Sequence, residues 1–191
     1  MKVIAFNGSP RREGNTSILI QAVFEELKKE GIETELISLG GRPVRGCMAC
    51  YGCVQNKNRR CVMEDDHIND CIQKMIAADG IILGSPVYVA DVTPEVKVLM
   101  DRACLVSKAN GDIFRRKVGA AVIAVRRGGA VHAFDTLNHF FMISQMMVVG
   151  SSYWNFAKGR DIGEVRQDEE GLRTMRILGE NMAWLLKKVN A

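Results

Sequence analysis

No run in the 191-residue sequence approaches the roughly 18 consecutive apolar residues that a membrane span requires. The opening MKVIAFNGSP reaches Gly8 and Pro10 too soon for the apolar stretch of a secretory signal. Basic residues are scattered in short groups (Arg11-Arg12, Arg59-Arg60, Arg115-Arg116-Lys117, Arg126-Arg127, Lys187-Lys188), and the net charge is only +4. The continuous basic stripe of a nucleic-acid footprint is therefore missing. Repeats, low-complexity tracts and Pro/Ser-rich linkers are also missing, so residues 1–191 read as one unit without a domain boundary. Neither G-x-G-x-x-G nor a Gly-Lys-Ser/Thr phosphate loop occurs, which removes the two commonest dinucleotide and triphosphate signatures.

What is present is ordinary in bulk. Hydrophobic residues make up 47% and charged residues 25% of the chain, the balance of a folded globular protein rather than a disordered, collagenous or coiled-coil one. Such a chain is expected in the cytoplasm. The six cysteines are unusual in their spacing, since four fall within residues 47–61. In a reducing compartment such clustering points to metal or redox chemistry rather than to structural disulfides.

Short apolar runs at 3–6, 34–39, 80–84, 118–125 and 146–149 read as strands. Between them lie helical patterns at 18–27, 68–78, 94–103 and 130–145, and a last one covers 172–189. Thr93 is the expected N-cap of the third helix, with Pro94 in its first turn. Residues 150–168 show little periodicity. Strands that are apolar on both faces and alternate with helices imply a parallel sheet covered on both sides. Five strands fit the flavodoxin-like doubly wound order, giving an α/β fold with a cysteine loop at about residues 40–66 inserted after strand 2.

Three loops fall at the carboxyl ends of strands, where open α/β sheets bind ligands. The first, Gly8-Ser9-Pro10-Arg11-Arg12-Glu13-Gly14-Asn15-Thr16-Ser17, opens directly onto a helix. A helix N-terminus offers unpaired N–H groups and a positive dipole end, to which Ser9, Thr16, Ser17 and Arg11 add hydroxyl and guanidinium donors. This is a cradle for a terminal phosphate; the bland alternative is that Asn15, Thr16 and Ser17 only cap the helix. The second loop carries Pro86, Val87, Tyr88 and Val89, able to flank a planar ring. The third carries Gly128 and Gly129, whose bare backbone can approach the ring's polar edge. Together the loops describe a mononucleotide site.

The combination of Gly8-Ser9-Pro10-Arg11-x-x-Gly14-Asn15-Thr16 with Gly84-Ser85-Pro86-Val87-Tyr88 and Val96-Lys97-x-Leu99-x-Asp101-Arg102 resembles the NAD(P)H-dependent FMN reductase family. The resemblance implies FMN as cofactor, with Ser9, Arg11, Asn15, Thr16 and Ser17 at its phosphate and Pro86, Val87, Tyr88, Val89, Gly128 and Gly129 at its ring. It also implies NAD(P)H as a candidate donor.

Cys47-x2-Cys50-x2-Cys53-x7-Cys61 brings three thiols close together and a fourth from a short loop, a pattern suited to a [4Fe–4S] cluster. Zinc is the first rival, although structural zinc sites more often pair two separated knuckles. A redox thiol pair at Cys50 and Cys53 is the second, but it leaves Cys47 and Cys61 unexplained. Inside such a chain the cysteine run resembles the iron–sulfur flavoproteins of anaerobic prokaryotes. That resemblance implies electron exchange between a cluster and FMN, a redox partner such as ferredoxin or reduced nicotinamide, and assembly as a homodimer or homotetramer. The alternatives are a cluster-free NAD(P)H-dependent FMN or quinone reductase and a non-enzymatic flavin redox sensor. No residue is expected to act as a catalytic acid, base or nucleophile, because the cofactors carry the chemistry.

Cys71 and Cys104 sit in helical patterns and are expected to fill the core, His132 and His139 to be surface or interface residues, and Asp66 to cap the helix that follows it. The Phe140-Phe141-Met142 run reads as core by default, with an oligomer interface as the hypothesis.

Overall fold

The computed structural model describes residues 1–190. Its elements follow the order β1 (Lys2–Asn7), α1 (Asn15–Lys29), β2 (Glu33–Ser38), α2 (Gly52–Asn56), α3 (Ile68–Ala77), β3 (Gly80–Pro86), α4 (Pro94–Ala109), β4 (Val118–Val125), α5 (Ala130–Ile143), β5 (Met147–Val148), β6 (Phe156–Lys158) and α6 (Glu169–Val189). All strand pairs are parallel, in the order β2-β1-β3-β4-β5, the flavodoxin-like order expected from the strand count. No helix among the described residues is long and apolar enough to cross a membrane.

Side chains alternate across a strand, so an all-apolar strand feeds two cores. Val3, Ala5, Ile82, Ala120, Val122 and Ala124 face one core, which α1 and α6 cover. Ile4, Phe6, Ile81, Leu83, Ala121 and Ile123 face the other, which α3, α4 and α5 cover. Cys71 belongs to this second core, and burial pushes its thiol up to about 12. Cys104 packs against it from a half-buried position, as expected of a small hydrophobe. Phe140 and Phe141 lie in the same core, and ring edges meet between Phe140 and both Phe114 and Phe141. Of the run expected at an interface only Met142 is exposed, and the neighbouring Ile143 is exposed beside it.

The fifth position in the sheet departs from the expectation of one strand at 146–149. β5 pairs only with Val118 and Gly119 at the start of β4, while β6 pairs with Ile123, Ala124 and Val125 at its end. One edge of β4 is therefore served by two short strands, and the backbone N–H of Ile123 reaches the Asn155 carbonyl at the join. Three residues, Phe-Ala-Lys, are too few for a period-two signal, which is why the 150–168 region reads as irregular. The last helix starts at Glu169 rather than Leu172. Asp168 caps it by accepting from the Gly171 N–H at 3.0 Å, a polar start that hydrophobic spacing does not register.

Between β1 and β3 the crossovers leave in opposite directions, and the loops after these two strands open a crevice at the switch point. The crevice floor is close-packed. The Gly8 N–H donates to the Gly84 carbonyl at 2.8 Å, and the Thr93 hydroxyl donates to the Gly8 carbonyl at 3.0 Å. Thr93 is the N-cap residue of α4, but its side chain bonds across to β1 instead of capping its own helix. A Cβ on Gly8 would lie 2.2 Å from Val96 Cγ2 and 2.5 Å from Thr93 Oγ1, so only glycine lets β1 and α4 meet here. Gly8→Ala is expected to destabilise the protein by about 1–3 kcal/mol through overpacking, read as a lower urea midpoint with an unchanged slope.

Candidate functional site

The first loop, the 86–91 turn and a segment near Arg160 enclose a cleft of about 310 Å³ lined by Ser9, Arg11, Thr16, Pro86, Tyr88 and Arg126, among others. Seven residues expected at the site from sequence line it: Ser9, Arg11, Asn15, Thr16, Pro86, Val87 and Tyr88. Their contributions differ. Ser9 is pinned, its N–H bonded to Asn7 Oδ1 at 2.9 Å and its hydroxyl accepting from the Arg11 N–H at 3.2 Å. Thr16 is almost fully buried, and its hydroxyl has no hydrogen-bond partner. The first-turn N–H groups of α1 have no intrahelical acceptor, and these donors beside the orphaned hydroxyl form a cradle suited to a phosphate.

Asn15 lines the cleft but spends its side chain on tertiary structure. Its amide Nδ2 donates to the Asp161 carbonyl at 2.9 Å, and its Oδ1 accepts from the N–H groups of Gly163 at 2.9 Å and Val165 at 3.4 Å. It therefore straps the 159–165 segment to α1 and leaves its backbone N–H for a ligand. Ser17 is turned away and lines a groove between α1 and α6. Each helical residue advances about 100°, and two steps on from Asn15 carry Ser17 off the face that meets the cleft.

Val89 and Ala90 form the tip of a two-residue turn closed by paired hydrogen bonds between Tyr88 and Asp91 at 2.7 and 2.9 Å. Both have positive φ, 48° and 64°, the backbone a type I′ turn demands and that Asn-Gly normally supplies. Val89 is fully exposed, so no packing offsets the strain of a β-branched residue there. Gly129, at φ 86°, explains the turn's placement: a Cβ on it would lie 2.7 Å from Ala90 Cα. Gly129 thus abuts the 86–91 turn at the rim, whereas Gly128 faces open space, and neither they nor Val89 line the cleft itself.

Sequence reasoning did not single out five lining residues: Pro10, Ala124, Arg126, Gly159 and Arg160. Arg160 enters through the irregular region, where its carbonyl accepts from the Arg11 guanidinium at 3.1 Å. Only the β6 pairing brings this segment to the crevice. Arg126 had a visible signal, being the first residue after the fourth strand in the same loop as Gly128 and Gly129.

A second cavity lies apart from the first and shares no lining residue with it. Cys47, Cys50, Cys53 and Cys61 all line it, with Met48, Tyr51, Val62, Met63, Arg102, Leu105 and Val106 completing the wall. Cys47 and Cys50 are exposed, Cys61 is half-buried and Cys53 is buried. Burial raises the Cys53 thiol above its ordinary value, with the neighbouring Cys61 and Cys47 adding to the effect and backbone N–H groups opposing it. The loop is tightly wound, with non-glycine residues Ala49, Tyr51, Lys57 and Arg59 all at positive φ. Such strain concentrates where a chain is bent around a ligand. The short helix α2 between Cys50 and Lys57 was not foreseen, since five residues carry no helical period. Among the described residues no three His, Cys, Asp or Glu side chains close tightly enough for a single metal ion.

Asn69 holds the fourth cysteine. Its Oδ1 accepts from the Cys61 N–H at 2.8 Å, and its Nδ2 donates to the carbonyls of Cys61 at 2.9 Å and Met63 at 3.0 Å. Asp66 does bond to the start of α3 as expected, accepting from the Ile68 N–H at 3.1 Å, although the N-cap position itself belongs to His67. His132 and His139 are exposed, and His132 Nε2 stands 3.7 Å from Asp91. Replacing the strained tip by Val89→Asn/Ala90→Gly is expected to stabilise the protein by about 1 kcal/mol, measured as a higher denaturant midpoint; no gain would mean that the left-handed backbone is not a cost.

A family model described as NADPH-dependent FMN reductase matches residues 1–161. An iron–sulfur flavoprotein of Methanocaldococcus jannaschii is 39% identical over 196 aligned residues, covering 99% of each chain. An iron–sulfur flavoprotein of Archaeoglobus fulgidus is 30% identical, covering 98% of each. Among solved structures, an NAD(P)H:quinone oxidoreductase from Methanothermobacter marburgensis superposes with a TM-score of 0.71 at 15% identity, over 95% of this chain and 98% of that one. At that identity the likeness speaks for the fold, as does that to a flavodoxin from the domain Archaea, with a TM-score of 0.63 at 15% identity, over 98% of this chain and 99% of that one. The full-length similarity and the family match place this chain in the NADPH-dependent FMN reductase family, among its iron–sulfur flavoproteins.

Proposed function

We propose that this FMN-dependent oxidoreductase transfers electrons between FMN, held in the switch-point cleft, and a [4Fe–4S] cluster held by Cys47, Cys50, Cys53 and Cys61. One observation carries the reading: in a chain of this family, four cysteines from one loop ring a single small cavity while the strand-end loops build a separate phosphate-ready cleft. When bound, FMN supplies two-electron and one-electron chemistry and the cluster supplies one-electron chemistry, so the pair joins donors and acceptors of the two kinds.

The chain's own residues bind and orient. The Thr16 hydroxyl, the first N–H groups of α1 and the guanidinium of Arg11 suit the phosphate, whose charge the helix dipole favours. Pro86, Val87 and Tyr88 wall the space for the ring, and Gly129 holds the adjoining rim. Arg126 and Arg160 add positive charge at the cleft, which favours an anionic form of whatever it holds.

Three cysteines at two-residue gaps and a fourth eight residues on, all on one cavity, favour a polynuclear cluster over the two separated knuckles of a tetrahedral zinc. Thr93 at the start of α4 belongs to the flavin side, and Arg102, nine residues along, to the cysteine side. The helix rise makes that about 13 Å, so α4 spans between the two sites. A redox partner, a ferredoxin or reduced nicotinamide, is the electron source in this reading. The exposed Met142, Ile143, Tyr153 and Trp154 favour assembly as a homodimer or homotetramer.

Protein purified without oxygen is expected to show flavin bands on a broad absorbance near roughly 400 nm that bleaches with dithionite. Clean flavin bands with no iron would leave a cluster-free FMN or quinone reductase. Cys50→Ser is expected to abolish bound iron while FMN affinity stays within twofold; full iron retention would refute the ligand set. Thr16→Val is expected to weaken FMN binding about tenfold or more, the worth of a hydrogen bond to a charged group, measured by quenching of flavin fluorescence with iron content unchanged.

A further inference from the structure

Arg102 is the largest fully buried side chain of the molecule, and it lies on α4, in the wall of the cysteine cavity. Its guanidinium makes three bonds, all to the segments that flank the cysteines. Nη1 donates to the Arg45 carbonyl at 3.2 Å and to Asp66 Oδ2 at 2.5 Å, and Nη2 donates to the Met63 carbonyl at 2.9 Å. Asp66, whose side chain is 4% exposed, accepts the Arg45 N–H at 3.2 Å in return. Arg45 stands two residues before Cys47, and Met63 two residues after Cys61. One ion pair therefore closes both ends of the loop on which all four cysteines ride.

Loop closure does not account for the whole group. Arg102 Nε is buried and has no hydrogen-bond partner. A charged donor left unpaired inside a protein is costly, and burying an ion pair is in itself weak evidence for stability. The rest of the cavity wall is made of apolar side chains, Tyr51 and the four thiols. Besides the Tyr51 hydroxyl, the acceptors this wall offers are sulfur and whatever group the sulfurs hold. Asp66 does not line the cavity, so the cationic member of the pair stands between the anionic member and the cysteines.

We propose that Arg102 and Asp66 form a clasp that holds the cysteine loop closed, and that Arg102, by its charge and its free Nε–H, raises the reduction potential of the group the four cysteines bind. The inference rests on the cluster assignment above. One-electron reduction adds one negative charge to a site already bounded by thiolates, with no bond formed or broken. A buried cation and a hydrogen bond to sulfur favour that added charge, whereas Asp66 opposes it from farther away. Arg102 is a positioning and tuning residue, not a ligand.

The test is a redox titration of anaerobically purified protein, with dithionite as reductant and iron counted in every sample. In Arg102→Gln/Asp66→Asn, which removes both charges and leaves neither partner stranded, iron is expected to remain and the reduction equilibrium to fall at least tenfold, or about 59 mV for a one-electron couple. In Asp66→Asn the cation loses its counter-ion, and the potential is expected to rise. Opposite shifts separate tuning from a merely structural role, which predicts iron loss or no shift. If the double variant does not hold iron, Asp66→Asn decides alone: an unchanged or lower potential overturns the proposal. Wild-type protein without iron would overturn the cluster assignment and the proposal with it, whereas loaded wild type with unshifted variants would overturn the proposal alone.

Discussion

Parallel pairing is the constraint on which both sites depend. Strands that all run the same way must all be left at the same end of the sheet, and each return to the starting end needs a helix across a face. In this protein every loop after a strand therefore opens on one side, and the change of winding direction between β1 and β3 keeps two of those loops from being covered by a crossover. The phosphate-ready first loop and the 86–91 turn meet there because β1 and β3 are neighbours in register, with Phe6 opposite Leu83 and Asn7 opposite Gly84.

The same constraint leaves the cysteine loop outside the sheet. It leaves the end of β2, an edge strand paired only with β1, and has no ladder to join. Its order comes instead from side chains that reach into it from α3 and α4: Asn69 on the backbone of Cys61 and Arg102 on both flanks. Burial lifts the Asp66 carboxyl, but the Arg102 guanidinium and the N–H groups of Arg45 and Ile68 outweigh it and hold the group below its ordinary value. A depressed carboxyl contributes stability that is complete above about pH 4 and is lost as the pH falls through the folded value. The order of the cysteine loop is thus tied to an ionised Asp66.

The flavin side shows a different economy of means. Asn15 sits where a phosphate contact is expected, yet its amide secures the 159–165 segment, which in turn brings Arg160 to the cleft. Val89 and Ala90 hold a backbone that neither residue favours, at the position where the turn meets Gly129. Strain kept beside a ligand cleft, with no packing to offset it, is the kind that a binding site rather than a core retains.

Much of this was legible along the chain. Apolar runs at β1, β3 and β4 are long enough to read as doubly buried strands, and the spacing of Cys47, Cys50, Cys53 and Cys61 is short enough for local backbone geometry to bring the thiols together. That Ser9, Arg11, Thr16, Pro86, Val87 and Tyr88 share one cleft was legible because they lie at the carboxyl ends of β1 and β3 or in the helical turn that follows, and a parallel sheet sends such residues to one place. What tertiary structure alone decided are the long-range choices. β6 pairs with β4 across some thirty residues and brings in Gly159 and Arg160. Asn15 spends its side-chain amide on a backbone partner 146 residues away, and Ser17 lines a groove on another side of α1. Arg102, an ordinary charged position in an amphipathic helix, became the buried keeper of the cysteine loop because the fold carries Asp66, Met63 and the Arg45 carbonyl to it. Local spacing is written in the sequence; which distant group satisfies a buried charge or carbonyl is settled only when the chain has packed.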